Sequence, residues 1–288
     1  MPSPPGSSQG SVLALLRASR PSLTASGQRI GELILAAPQD VVHLTVSDVA
    51  ERTGASVGSV VRFCKDIGLR GFADLKLRLA AETNAAPHTV QGEVTDTDDP
   101  ATVLDKVLAD AQEAISSARQ TVTPSAFATA VAMLTGASKV LCVAVGTSAP
   151  LAQDIAYRLR TAGVEAEHQG DPHVQHVTAR LLSPAAVCLA ISHTGQTSET
   201  LQATQAARTA GADIIAVTSF YRSPLTELAD VALVAASRET NFRIEAVASR
   251  IAHLAVLDAL NVAITVATLG KAREAQRLTA DVLAEHRL

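Results

Sequence analysis

Aromatic side chains are scarce in this chain: they make up 2% of its 288 residues, and Trp is absent. The core must then be assembled from Ala, Val, Leu and Ile, which suits a parallel sheet covered by Ala-rich helices. Cysteine is equally thin. Cys64, Cys142 and Cys188 are odd in number, far apart and each set in an apolar stretch. A disulfide framework or a zinc site wants closely paired cysteines, so these three read as buried thiols. No apolar run reaches the length of a membrane span without a charge breaking it. The opening Met1–Gly10 is rich in Pro, Ser and Gly and is not built like a signal peptide. The expectation is a soluble, cytoplasmic protein without a membrane partner.

What is present is enough to fold twice over. Hydrophobic residues reach 47%, and a chain of this length is comfortable for two domains. The net charge of −4 is unevenly spread. Residues 1–80 hold 9 Lys/Arg against 6 Asp/Glu, whereas residues 81–100 hold five acids and no base. A positive N-terminal segment is weak evidence for nucleic acid until a reading element is found in it.

The stretch NAAPHTVQGEVTDTDDP, residues 84–100, lacks apolar periodicity and carries two Pro, a Gly and the acidic run. It reads as a linker. Before it, residues 1–20 read as a disordered tail and 21–83 as an all-α domain. After it, residues 101–288 read as an α/β domain. Helices are expected over about 101–120 and 124–136. Apolar runs at Val140–Val145, Ala186–Ile191, Ile214–Thr218 and Val231–Val234, with a second possible strand around Val164–His168, then alternate with helical stretches. Runs of this kind predict a five-stranded parallel sheet buried on both faces and flanked by helices. A long helix from about Arg243 to Thr268 closes the pattern, with Ile251, Leu254, Val256, Leu257, Leu260 and Ile264 supplying apolar surface.

Two constellations carry chemistry. In TVSDVAERTGASVGSVVRFCKDIGLRGFADLKLRLA, residues 45–80, Ser47 is taken as the N-cap of a helix that Gly54 ends, and Ser56 caps a second helix. Val57, Val60, Cys64 and Ile67 fall on one apolar face of that second helix. Gly58, Ser59, Arg62, Lys65 and Asp66 form the opposite face. Two short helices joined by a Gly-containing turn place the second in the DNA major groove. There Arg62 reaches a guanine edge or a phosphate, and Ser59 an acceptor. On spacing alone, a plain helical hairpin with a solvated face stays open. Phe63, Phe72, Leu75 and Leu79 read as packing.

The second constellation is AVCLAISHTGQTSETLQATQAARTAGADIIAVT. A buried strand ends at Ile191, and a loop follows with hydroxyls at Ser192, Thr194, Thr197 and Ser198 around Gly195. A helix begins near Ser198. Such a unit aims main-chain N–H groups and a helix dipole at one point and suits a phosphate monoester. A second turn in VAVGTSAPLAQDIA puts Gly146, Thr147 and Ser148 at the end of the first strand, the edge where ligands collect in open parallel sheets. Plain turns with helix-capping hydroxyls remain the alternative. Neither GxGxxG nor a Walker loop is present, so no nucleotide cofactor is expected. His168, Asp171, His173 and His176 form a loop, HQGDPHVQH, whose spacing straddles a Pro and does not read as a metal site.

Residues 28–80, with QRIGELILAAP, the TVSDVAERTGASVGSVVRFCKDIGLRGFADLK body and its RFC…GLRGF tail, resemble the N-terminal domain of RpiR/MurR-type regulators. Residues from about 124 to 268 resemble the SIS (sugar isomerase) domain through VGTSAPLAQDIAYRL, ISHTGQTSET, AGADIIAVT and SPLTELADVAL. That likeness implies a phosphosugar held by Ser192, Thr194 and Thr197 with Ser148; His193, Gly195, Gly146 and Thr147 complete the candidate site. One departure is Thr194, where the family's loop usually has a second serine.

SIS-like domains also occur in isomerases and in a sugar-ether lyase, whose chemistry needs a positioned base. The candidates are His193, Glu199, Glu239, Glu245 and His253, and no two of them form a compelling acid/base pair. A DNA-reading head fused to a phosphosugar pocket accounts for the whole chain. The expectation is therefore a non-enzymatic transcription regulator of carbohydrate metabolism, needing no cofactor and responding to a sugar phosphate. Reading half-sites on double-stranded DNA predicts a homodimer or homotetramer on a pseudo-palindromic operator.

Overall fold

The computed structural model describes residues 11–42, 44–85, 94–236 and 247–285. Six helices come first: α1 (Val12–Ser19), α2 (Ala25–Ala36), α3 (Pro38–Val41), α4 (Val46–Thr53), α5 (Val57–Asp66) and α6 (Phe72–Ala85). Their shared core contains Ile30, Ile34, Val49, Val60, Phe63, Cys64, Leu75 and Leu79. The tail expected over residues 1–20 is corrected only from residue 11 on, residues 1–10 lying outside the described ones. Residues 12–19 form a helix capped by Ser11, with Val12, Ala14, Leu15, Leu16 and Ala18 buried.

Next come α7 (Pro100–Thr121) and α8 (Pro124–Gly136), each with Pro at its start, where the missing N–H costs nothing. Asp99 and Thr123 cap them. The remaining elements are β1 (Val140–Val143), α9 (Ala149–Thr161), β2 (Ala166–His168), α10 (Pro172–Arg180), β3 (Val187–Ile191), α11 (Ser198–Thr209), β4 (Asp213–Thr218), α12 (Pro224–Leu228), β5 (Val231–Val234), α13 (Val247–Ala267) and α14 (Leu269–Glu285). All four strand pairings are parallel, in the order β2-β1-β3-β4-β5.

Alternation along the strands divides two cores. Val140, Cys142, Val187, Leu189, Ile191, Ile215 and Val217 face a layer containing Ala118, Leu134, Ile155, Leu159, Leu257, Leu260 and Ile264. Leu141, Val143, Cys188, Ala190, Ile214 and Ala216 face Ala179, Ala203, Ala207 and Leu225. Alanines on α11 let that helix lie close to the sheet without aromatic filling. The order reverses between β1 and β3, and the carboxyl ends of those strands flank the reversal, where such sheets bind ligands.

Among the described residues, Ser249–Ala267 of α13 is the single helix stretch long and apolar enough to cross a membrane by length and composition. It is a core helix of the sheet domain: Ala252, Val256, Leu257, Leu260 and Ile264 are buried against the first layer. Leu254, expected to pack, is 36% exposed. Asp258 on the same helix pairs with Arg158 at 3.2 Å.

Candidate functional sites

The reading helix is held by its neighbours. Helix α4 starts two residues earlier than the sequence suggests. Thr45, not Ser47, is the N-cap: its Oγ1 accepts from the Asp48 N–H at 3.1 Å, and the Asp48 carboxylate accepts from the Thr45 N–H at 2.8 Å. These bonds hold the Asp48 carboxyl below its ordinary range, the Thr45 main-chain N–H being the largest cause. Ser47 is exposed in the first turn. Gly54 ends α4 at φ +60°, and from α2 the Arg29 guanidinium donates to the carbonyls of Thr53 (2.8 Å) and Gly54 (3.3 Å).

Ser56 caps α5 by accepting from the Ser59 N–H at 3.1 Å. Val60, Cys64 and Ile67 are fully buried, as their spacing predicts, but Val57 is 44% exposed. Its place in the first turn turns it outward with Gly58, while Phe63 fills the core instead. Arg62 and Lys65 are exposed, and Ser59 is half-buried. The outer face thus offers a guanidinium, an ammonium, a close backbone approach at Gly58 and an apolar group fit for a thymine methyl. Burial pushes the Cys64 thiol up to about 12.

At the sheet's carboxyl edge, Ser192 is buried, and its Oγ accepts from the Gly195 N–H at 3.1 Å and meets Thr197 Oγ1 at 3.2 Å. Thr194 is exposed, with Oγ1 accepting from the Gln196 N–H at 3.2 Å. Thr197 is the N-cap residue of α11 and Ser148 that of α9, yet neither side chain makes a capping hydrogen bond. Gly146, at φ +58°, opens a single 3-10 turn through Thr147 and Ser148. Buried Gln175 braces the same edge: it pairs with the N–H (3.1 Å) and carbonyl (2.9 Å) of Ala144 and donates to the Gln169 carbonyl at 2.7 Å.

His193 reaches sideways to Ser219, Nδ1 to Oγ 2.8 Å, and Ser219 meets His253 Nε2 at 3.1 Å. His253 is buried and bonded to the main chain of Thr218; burial, with His193 nearby, pushes it down to about 3. Glu199 is exposed, and the Ser198 hydroxyl (2.8 Å) lowers its carboxyl. Glu239 and Glu245 lie outside the described residues.

The HQGDPHVQH segment is not one loop. His168 ends β2, with Nδ1 2.9 Å from the Cys142 carbonyl, and Asp171 caps α10, whose exposed first turns carry His173 and His176. Among the described residues no three His, Cys, Asp or Glu cluster as metal ligands. Sequence reasoning missed Ser219 and Gln175, single polar residues on separate elements whose only signal is burial. A groove of about 690 Å³ between α10, α11 and α12, lined by Arg180, Leu201, Gln205 and Glu227 among others, includes none of the loop residues.

A helix-turn-helix head joined to a five-stranded parallel sheet flanked by helices is the framework that these elements define. The model of the helix-turn-helix domain of the rpiR family matches residues 10–86, and that of the SIS domain matches 133–263. An HTH-type transcriptional regulator of Caldanaerobacter subterraneus is 34% identical over 249 residues, 86% of this chain and 88% of its own. The chain therefore belongs to the rpiR family of helix-turn-helix transcriptional regulators carrying a SIS domain. A bifunctional protein glk of Paraburkholderia xenovorans is 31% identical over 91% of this chain but only 41% of its own. Among solved structures, the Vibrio vulnificus NanR protein complexed with ManNAc-6P matches with a TM-score of 0.60 at 25% identity, covering 96% of this chain and 98% of that one.

Proposed function

We propose that this regulator binds a sugar phosphate at the paired strand ends and that occupancy changes its hold on an operator of carbohydrate-metabolism genes. Gly146, Thr147, Ser148, Ser192, His193, Thr194, Gly195 and Thr197 form the effector site. Ser56, Gly58, Ser59, Arg62 and Lys65, with Ser47 at the edge, face DNA. The observation that carries this reading is the pair of uncapped N-cap hydroxyls, Ser148 and Thr197, flanking the reversal of strand order. A hydroxyl serving only as a turn residue would cap its helix. Neither hydroxyl is committed to its helix: Thr197 Oγ1 bonds to Ser192 Oγ at 3.2 Å, within the candidate site itself, and both stand beside the positive ends of α9 and α11 where a phosphate would sit.

The chain acts as a sensor and not as an isomerase or lyase. A general base needs a pKa near the working pH. Glu199 is shifted away from it by Ser198, and His253 is neutral and buried behind Ser219. The regulator works in the cytoplasm as a homodimer or homotetramer on a pseudo-palindromic site. Its head, residues 21–83, and effector domain, 101–288, are joined through 84–100.

N-acetylmannosamine 6-phosphate heads the candidate effectors, on the likeness to NanR. The test is a thermal-shift screen of the full chain against hexose, hexosamine and N-acetylhexosamine phosphates and sugar acids. A native-state ligand at about 100 times its Kd adds about 2.7 kcal/mol of stability. A phosphorylated sugar should raise Tm while its unphosphorylated parent does not. Equal shifts from both, or turnover of any sugar phosphate to its isomer, would overturn the reading.

A further inference from the structure

Helix α1 belongs to two cores at once. Val12 and Leu16, one turn apart, are buried with Ile30, Phe63 and Leu79 in the DNA-reading head. Leu15 and Ala18, on an adjacent face, are buried with Val143, Ala190 and Tyr221 against the sheet. Polar bonds pin both sides. The Ser11 hydroxyl donates to the Glu82 carboxylate of α6 at 2.8 Å, and the Val12 N–H also donates to Glu82. Toward α7, the Ser11 N–H donates to Gln120 at 2.7 Å, and Arg17 pairs with Glu113 at 2.6 Å.

Three consecutive residues connect this helix to the phosphate loop. Ser219 donates its N–H to the His193 carbonyl at 3.1 Å, and its Oγ lies 2.8 Å from His193 Nδ1. Tyr221, two residues on, donates its N–H to the Ala18 carbonyl of α1 at 2.9 Å and its hydroxyl to the Thr121 carbonyl at the end of α7 at 3.2 Å. Tyr221 is buried, so its hydroxyl has little water with which to exchange that bond. A displacement of His193 is therefore carried by a short, hydrogen-bonded, close-packed path to the last turn of α1. Helix α1 is packed on both sides, against the head and against the sheet domain.

We propose that α1, reached from the loop through Ser219 and Tyr221, is the element that passes effector occupancy to the DNA-reading head within each chain. This rests on the sugar-phosphate reading of the loop. Ser219 and Tyr221 act as positioning residues. The effector shifts DNA affinity because it favours one seating of α1 between the two cores over another, and the shift can be no larger than that preference.

Hydrogen exchange on the full chain tests it, with glucose 6-phosphate, fructose 6-phosphate, N-acetylglucosamine 6-phosphate, N-acetylmannosamine 6-phosphate and inorganic phosphate as probes. The same samples are titrated with a DNA fragment selected by the protein from random sequence. A bound probe should slow exchange in residues 192–197 and alter it in 12–19. It should change DNA affinity by about tenfold, within the usual range of coupling. In Leu15→Ala and in Tyr221→Phe the loop response should persist, showing a folded site, while the α1 response and the change in DNA affinity shrink to about twofold or less. Loop protection with α1 unaltered, or full coupling in both variants, overturns the inference and leaves the effector site standing. Absence of loop protection with every probe overturns the effector site and the coupling together.

Discussion

Gly195 sits so close to Ser223 that a Cβ added there would come 2.2 Å from the Ser223 hydroxyl oxygen. Its φ of +63° is also one that side-chain-bearing residues rarely adopt. The contact seals the Ser192–Thr197 loop onto the start of α12, where the Gly195 carbonyl accepts from the Leu225 N–H at 3.0 Å. Gly195→Ala should cost about 2–5 kcal/mol, about 1–3 from overpacking and about 1–2 from backbone strain. It should also abolish the thermal shift given by any sugar phosphate. Gly146→Ala is the control. Its φ is similar at +58°, but nothing lies within 4 Å of the added carbon, so about 1–2 kcal/mol of backbone strain is expected. Equal losses in urea unfolding of the two variants would show that the Ser223 contact does not matter.

Capping of α4 gives a direct comparison between two neighbouring hydroxyls. Thr45→Ala removes the hydroxyl that accepts from the Asp48 N–H and donates to its carboxylate, leaving only the main-chain half of the reciprocal pair, and should cost about 1 kcal/mol. Ser47→Ala, at an exposed first-turn position, should change stability by less than about 0.5 kcal/mol. Denaturant midpoints at constant m-value read the difference, and a larger loss at Ser47 would contradict the observed helix start.

Four of the strands were legible because each is a largely continuous apolar run buried on both faces, and such runs have few other uses; β2, Ala166–His168, carries Glu167 and His168 half-buried at the sheet edge and gave a weaker signal. Gly54 and Ser56 were legible because a left-handed turn and an N-cap each restrict residue type. Helix α1 was not. VLALLRAS shows no clean polar face, since it is buried from two sides by two domains, and it directly follows a Pro/Ser/Gly-rich stretch. Val57 misled because helical periodicity assigns a face without knowing where the neighbouring helix ends. Helix α10 was hidden by His173, Gln175 and His176, polar residues of which Gln175 is buried and bonded to the main chain. At the two strand-end turns the residue types were readable, but Ser148 and Thr197 as uncapped cap residues were not. Whether a hydroxyl caps depends on χ1, which spacing does not encode.

Arg62 lies exposed on the outer face of α5. Arg62→Ala should leave Tm unchanged and weaken operator binding by about 1–3 kcal/mol, roughly tenfold to a hundredfold. Titrations at several salt concentrations then separate its roles. A phosphate contact reduces the slope of log K against log salt by about 1, whereas a guanine contact relaxes sequence preference. Unaltered DNA affinity would remove Arg62 from the interface, and a large fall in Tm would make it a folding residue.

Thr194→Val replaces the exposed hydroxyl that accepts from the Gln196 N–H with a methyl of similar size. Effector affinity should fall by about 1–3 kcal/mol if the hydroxyl or the loop shape it sets contacts phosphate. Thr194→Ser should retain binding, because it keeps the hydroxyl and loses only the methyl. Calorimetric titration of both variants with whichever sugar phosphate stabilises the wild type decides the matter. Equal affinity in Thr194→Val takes this residue out of the site.

The buried His253 makes stability depend on pH in a window of its own. Its folded-state value is pushed down from 6.5 to about 3 by burial, with His193 adding to the effect. Between those values the unfolded chain binds a proton that the folded chain refuses, so stability falls as pH drops below about 6.5. The loss approaches about 1.4 kcal/mol per pH unit and ends near the folded value. Asp48, Asp74 and Asp98 are held low by hydrogen bonds and by lysine or arginine partners, and Asp99 by hydrogen bonds alone; each also loses stability as pH falls, but in a lower window. Their contribution is complete above the ordinary carboxylate value of about 4 and fades only below it. Urea unfolding between about pH 7.5 and 4.5 therefore isolates the histidine. His253→Gln should flatten the acid slope in that interval while keeping a partner for Ser219. An unchanged slope in the variant would mean that protonation of His253 does not limit the acid stability of the fold.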